Sequence, residues 1–134
     1  MIVVDTSAWI KLLRNHESPV RRTLHQLLEQ EADLAVTEVV VAELLAGATS
    51  ESHRDALRSR LLAFPVLSLR GLRGFEQAAD LHRTARSRGV TVRRLADCLV
   101  AAPCIAAQAT LLHADRDFDE LSRVSDLRIH PVGA

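Results

Sequence analysis

Four carboxylates stand where they could act together: Asp5, Glu43, Asp97 and Asp115. Asp5 directly follows the apolar run Ile2-Val3-Val4, and Asp115 comes shortly after Thr110-Leu111-Leu112. In parallel α/β sheets, functional groups gather beyond the carboxyl ends of strands, so these two can meet there. Asp5, within Asp5-Thr6-Ser7, is equally suited to capping a helix. Glu43 lies in Val39-Val40-Val41-Ala42-Glu43-Leu44-Leu45-Ala46, which is apolar on every face of a helix, the pattern of a buried one. A carboxylate there has to be paired with an arginine, hydrogen-bonded or bound to a cation. Asp97 falls in the nearly charge-free stretch Leu95-Ala96-Asp97-Cys98-Leu99-Val100-Ala101-Ala102, either as a first-turn complement to the helix dipole or as a fourth member of the set.

Carboxylates gathered from four separate segments repel one another in a cleft of low dielectric, so the set asks for a cation. Without one, at least one of the four is expected to hold its proton above the usual carboxylate range through repulsion. Oxygen-only donors select hard Mg²⁺ or Mn²⁺ over zinc. Such ions keep several waters, bridge to phosphates and activate an attacking water, so phosphodiester hydrolysis is the leading chemistry. Asp115-Arg116-Asp117-Phe118-Asp119 mimics a calcium loop, but Glu120 stands where that loop needs glycine. Asp117 or Asp119 is expected instead to cap the helix carrying Leu121. The six histidines show no ligand spacing and receive no role.

To position these acids, short strand-like runs alternate with longer helical ones. This predicts an α/β fold, one domain over residues 1–134 with a mostly parallel central sheet flanked by helices. Strands are expected at 2–4, 34–36, 66–67, 110–112 and, on an edge that tolerates Pro131, 127–132. Helices are expected over 7–13, after Pro19 with Leu24, Leu27 and Leu28 on one face, and from a Thr37 cap to Ala46 with Gly47 as the stop. Further helices follow over 52–63, over 72–88 ended by Gly89, and over 95–108, where Pro103 should introduce a kink.

Composition narrows the alternatives. The chain has 134 residues, 48% hydrophobic and 25% charged, enough apolar material for a core. Only 3% are aromatic, with no tyrosine, which argues against a module that stacks single-stranded bases on an aromatic platform. Seventeen basic residues balance seventeen acidic ones, so any affinity for nucleic acid has to come from a local patch. Lys11 is the single lysine, and Arg83, Arg86, Arg88, Arg93 and Arg94 precede Asp97, where they could border a cleft and contact phosphates. Cys98 and Cys104 read as small buried hydrophobes in a reducing compartment, about 120° apart on one helix. The early Asp5 argues against a signal peptide, and no apolar run spans a bilayer, so a cytoplasmic protein without a membrane role is expected.

Taken together, Val3-Val4-Asp5-Thr6-Ser7-Ala8-Trp9-Ile10 and Thr37-Glu38-Val39-Val40-Val41-Ala42-Glu43-Leu44 resemble the first two motifs of PIN-domain nucleases. Leu95 to Ala102 and Leu111-Leu112-His113-Ala114-Asp115-Arg116-Asp117-Phe118 look like the third and fourth. Order, spacing and length all match, most closely the VapC-type toxins of toxin–antitoxin pairs. The resemblance implies a Mg²⁺- or Mn²⁺-dependent endoribonuclease that acts on RNA, forms a homodimer and is inhibited by a small cognate antitoxin masking its acidic cleft. Carried over residue by residue, Asp5, Glu43, Asp97 and Asp115 are the catalytic acids. Asp5, Asp97 and Asp115 would hold the metal, with Glu43 and Asp117 acting through water. Thr6 or Ser7 supplies a hydroxyl that orients the first acid or a metal water. Pro103 and the short turn Gln108-Ala109 depart from the usual pattern without touching a motif position.

Three rivals remain on the same residues. A haloacid-dehalogenase-type phosphatase needs a second Asp two residues after the first, where this chain has Ser7. A housekeeping RNA-processing nuclease would share the chemistry without an antitoxin. An inactive PIN-like module would bind RNA or a partner, although all four acids are present.

Overall fold

The computed structural model describes residues 1–133. Those residues form β1 (Ile2–Val4), α1 (Thr6–Leu13), α2 (Pro19–Glu29), β2 (Leu34–Thr37), α3 (Glu38–Ala46), α4 (Glu51–Leu61) and β3 (Val66–Leu67). They continue with α5 (Leu72–Ser87), α6 (Leu95–Ala107), β4 (Thr110–Leu112), α7 (Arg116–Arg123) and β5 (Arg128–Ile129). The strands lie in the order β3-β2-β1-β4-β5, and every pairing is parallel. β1 and β4 are covered on both faces, which is why they read as unbroken apolar runs rather than alternating ones.

The order of strands decides where a site can form. From β1 the chain builds outward to β2 and β3, then returns to β1's other side for β4 and β5. Strand order therefore reverses between β1 and β4. Connections leave the two strands in opposite directions there and open a crevice beyond their carboxyl ends. Asp5 follows β1 and His113 to Asp115 follow β4, so the crevice is lined by the acids.

Local chemistry accounts for most boundaries. Ser18 caps α2 by accepting from the Arg21 amide, with Pro19 in the first turn, and Thr37 caps α3 by accepting from the Val40 amide at 3.3 Å. Gly89, at φ +82°, ends α5 in the left-handed region. Gly74 allows a close approach: a Cβ there would lie 1.9 Å from the Leu69 carbonyl oxygen. The core joins Val3, Val4, Val36, Leu111 and Leu112 of the sheet to Leu24, Leu61, Val100, Phe118 and Leu121. Cys98 and Cys104 are buried free thiols, as expected of small hydrophobes, and burial pushes them up to about 11 and about 12.

Several expectations need correction. β5 is shorter than 127–132 because pairing ends once His130 has donated to Leu111. Pro131 next door has no N–H to extend the ladder. Gly47 does stop α3, but at φ −83°, with the Gly47 and Ala48 amides bonded back to Leu44 and Leu45. α3 is not a buried helix: only Val40 and Leu44 are buried, while Ala42 and Ala46 face solvent. α6, by contrast, runs through Pro103 for four further residues, close to the expected 95–108.

Candidate active site

Asp5 has the dual character its sequence allowed. It caps α1, and its buried Oδ2 accepts from the Ser7 amide at 3.0 Å and the Ser7 hydroxyl at 2.6 Å. Burial holds its carboxyl above the usual carboxylate range; the Ser7 bonds oppose the shift, and Glu43 and Asp97 add to it. The Ser7 hydroxyl also accepts from the Ala114 amide at 2.9 Å, tying the end of β1 to the loop after β4. Thr6 serves a different acid, donating to Glu43 Oε1 at 2.8 Å. The two adjacent hydroxyls thus divide the work between Asp5 and Glu43.

Glu43 projects from α3 with its side chain 26% exposed, and its Oε2 lies 3.4 Å from Arg94 Nη1. Arg94 donates through Nη2 to Asp97 Oδ1 at 2.8 Å. Asp97, in the first turn of α6, is buried, and its Oδ2 has no hydrogen-bond partner. Burial raises the Asp97 carboxyl most; Arg94 opposes the shift, and Asp115 and Asp117 reinforce it. Raised carboxyls are therefore present as expected, but desolvation leads and repulsion is secondary.

On α7 the capping residue is Asp115, neither Asp117 nor Asp119: its Oδ1 accepts from the Asp117 amide at 3.0 Å. In an Asp-x-Asp run the residue just before the first turn reaches the free amides, and the chain leaves β4 so that Asp115 occupies that place. Asp117 instead points back to the crevice, where Arg93 Nε donates to its Oδ2 at 3.0 Å. Arg93 Nη2 also stands 3.9 Å from Asp115 Oδ1.

Asp97, Asp115 and Asp117 each offer a carboxylate oxygen, all within 4.8 Å of one another. Asp5 is not in this triad; it stands beside it with Glu43, linked through Arg94's pairing of Glu43 and Asp97. A buried Asp97 with one unpartnered oxygen, clustered with two further carboxylates, is a fitting place for a hard divalent cation. Five carboxylates facing two guanidiniums leave an excess of negative charge that such an ion would neutralise.

Of the five arginines expected to border the cleft, Arg93 and Arg94 do so. Arg83 pairs with Asp80 on the exposed face of α5, Arg86 lines a surface hollow with it, and Arg88 donates to the Val124 carbonyl. Arg93 and Arg94 sit in the loop feeding α6, whereas the other three lie along or just past α5 and belong to its solvent face. His113, given no role from sequence, touches the site by accepting from the Asp115 amide. Its position two residues before an expected acid is the signal that could have exposed it.

With this geometry established, known proteins resemble it closely. The PIN domain family matches residues 2–124. The VapC ribonuclease Mb1587 of Mycobacterium bovis is 36% identical over 129 residues, 96% of each chain, and ribonuclease VapC11 of Mycobacterium tuberculosis matches to the same extent. Among solved structures, VapBC2 from Rickettsia felis, bound to a DNA fragment from its promoter, superposes with a TM-score of 0.72 at 20% identity. That match covers 97% of this chain and 98% of the other. The chain belongs to the PIN domain family.

Proposed function

We propose that the chain is a Mg²⁺- or Mn²⁺-dependent endoribonuclease, the toxin of a toxin–antitoxin pair. The observation that carries this reading is the Asp97–Asp115–Asp117 triad with its unpartnered buried oxygen, in the crevice where strand order reverses. The names of the Mycobacterium relatives support ribonuclease as the activity, and the Rickettsia complex supports an antitoxin partner.

In this reading Asp97, Asp115 and Asp117 would hold the ion, with Asp5 beside them. A bound ion would lower the pKa of an attacking water and favour charge on the departing ribose oxygen. Thr6 orients Glu43, whose half-buried carboxylate would receive the proton lost as water oxygen bonds to phosphorus. The phosphorus–ribose oxygen bond breaks, and the released oxygen takes up a proton from solvent. Arg93 and Arg94, with exposed heads, bind the flanking phosphates without selecting sequence. Burial around Asp5 and Asp97 excludes bulk water from the floor of the site.

The partners follow from the same reading. A small antitoxin would mask the acidic crevice. A second copy would cover Leu72 and Phe75, which lie one turn apart on α5 and are exposed. The protein would work in the cytoplasm, where its free thiols stay reduced. Among the described residues, no helix is long and apolar enough to cross a membrane.

Antitoxin-free protein is expected to cut structured RNA with Mg²⁺ or Mn²⁺ and to stop with EDTA. Asp97→Asn should lower the rate at least about a hundredfold while circular dichroism stays unchanged. Full cleavage by that variant, or by wild type in EDTA, rejects the reading.

A further inference from the structure

His113 stands at the joint between β4 and α7. Its ring is 7% exposed and tilted onto Phe118, with centroids 5.2 Å apart. Both ring nitrogens are engaged. Nδ1 accepts the Asp115 amide at 3.0 Å, and Nε2 lies 3.1 Å from Asp119 Oδ1. A ring whose Nδ1 accepts carries its hydrogen on Nε2, and Asp119 is the acceptor that keeps it there. The neighbouring amides are committed too, Ala114 to Ser7 Oγ and Asp117 to Asp115 Oδ1. The entry to α7 is thus held at the Ala114, Asp115 and Asp117 amides by the side chains of Ser7, His113 and Asp115.

We propose that His113, fixed in one tautomer by Asp119, is a positioning residue for Asp115. It sets the backbone from which the Asp115 carboxylate meets Asp97 and Asp117. The contact stands on its own geometry; its consequence for a bound ion rests on the function proposed above. Groups that orient a metal ligand without touching the metal alter its affinity strongly, because a misaimed carboxylate must be reorganised on binding. Asp119 is 57% exposed, so the outer end of this pair can be altered without opening the core.

Two variants at position 113 separate positioning from packing. In His113→Asn, the Oδ1 can accept the amide two residues on, as in an Asx turn, whereas His113→Leu fills volume without an acceptor. Amide hydrogen exchange at Asp115 is read on the metal-free protein, and Mn²⁺ affinity by calorimetry. His113→Leu should lose Asp115 protection and bind Mn²⁺ about tenfold more weakly, with His113→Asn within about threefold of wild type. Asp119→Ala should loosen the tautomer, seen as loss of the distinct bare-Nδ1 and protonated-Nε2 ¹⁵N signals, and weaken Mn²⁺ by a smaller factor. Unchanged exchange and affinity in His113→Leu overturn the proposal, as does equal impairment by Asn and Leu. If His113→Leu does not fold, Asp119→Ala decides: unchanged ¹⁵N signals and affinity overturn it. If wild type binds no Mn²⁺, the metal reading falls, while the exchange and ¹⁵N data still accept or reject the His113–Asp115 contact.

Discussion

The two halves of the acidic crevice are held by different kinds of donor. On the β1–α3 half the shortest bonds come from neutral groups, the Ser7 hydroxyl and amide on Asp5 and the Thr6 hydroxyl on Glu43, with Arg94 reaching Glu43 only at 3.4 Å. On the α6–α7 half they are guanidiniums, Arg94 on Asp97 and Arg93 on Asp117. A hydroxyl on a one-carbon stem has little freedom to leave, whether it bonds within its own turn, as Ser7 does, or across to α3, as Thr6 does. Arg93 and Arg94 have side chains 67% and 54% exposed on long stems that regain rotamer freedom when released. One half is therefore fixed and the other exchangeable. Under the proposed function, a divalent ion held by Asp97, Asp115 and Asp117 would compete with these guanidiniums and free them for RNA phosphates.

Breaking the fixed half should have the largest effect. Ser7→Ala removes a donor to Asp5 and the acceptor for the Ala114 amide. It is expected to lower kcat about tenfold to a hundredfold and to cost about 1–2 kcal/mol in urea denaturation of the metal-free protein. Wild-type activity in that variant would mean the hydroxyl is dispensable. On the exchangeable half, Arg94→Gln should move two affinities in opposite directions. Mn²⁺ binding should tighten and RNA binding weaken, each by about threefold to fivefold, as befits a solvent-exposed ionic contact. If both weaken together, Arg94 is a structural strut and the contrast between the halves is wrong.

A smaller effect tests burial against repulsion. Burial raises the folded-state carboxyls of Asp5 and Asp97, so the native state keeps protons that the unfolded chain releases. That contribution to stability is complete below the ordinary carboxylate value and lost as pH rises through the raised one. In EDTA at neutral pH, Asp97→Asn should melt at or above wild type, with the difference closing at acid pH. A marked fall in melting temperature would show that Arg94's bond to Asp97 outweighs the desolvation. The smallest effect concerns the thiols. Cys98 and Cys104, pushed up to about 11 and about 12, stabilise the native state fully below about pH 9 and progressively less above it. Ellman's reagent at pH 8 should leave both unlabelled until the protein is denatured; fast labelling of the native protein would contradict their burial.

Much of the architecture was legible because local chemistry and global fold agree. Short β-branched or leucine runs gave β1 and β4, and Thr37 gave the start of α3. Where the reading failed, the missing information was tertiary. Apolar composition said that α3 could be buried on every face, but not that its Ala42 and Ala46 side lacks a covering element. The Asp-x-Asp run offered several caps, and the direction of the chain leaving β4 chose Asp115. Proximity in sequence pointed to five arginines near Asp97, yet Arg83 and Arg86 lie on the exposed side of α5 and Arg88, just past its end, is held by the Val124 carbonyl. The acids themselves were found as a set, whereas Asp117's place in the triad and His113's hold on Asp115 depend on how α7 docks.

The chain's single tryptophan has a further use. Trp9 is buried beside Phe64, and its amide donates to the Asp5 carbonyl oxygen at 3.1 Å. Its emission is therefore an unmixed optical signal from the first turn of α1, the turn that carries Asp5, Thr6 and Ser7. Native fluorescence should be blue and turn red on unfolding, and any rearrangement at the mouth of the crevice that shifts that turn is open to stopped-flow recording without an added dye.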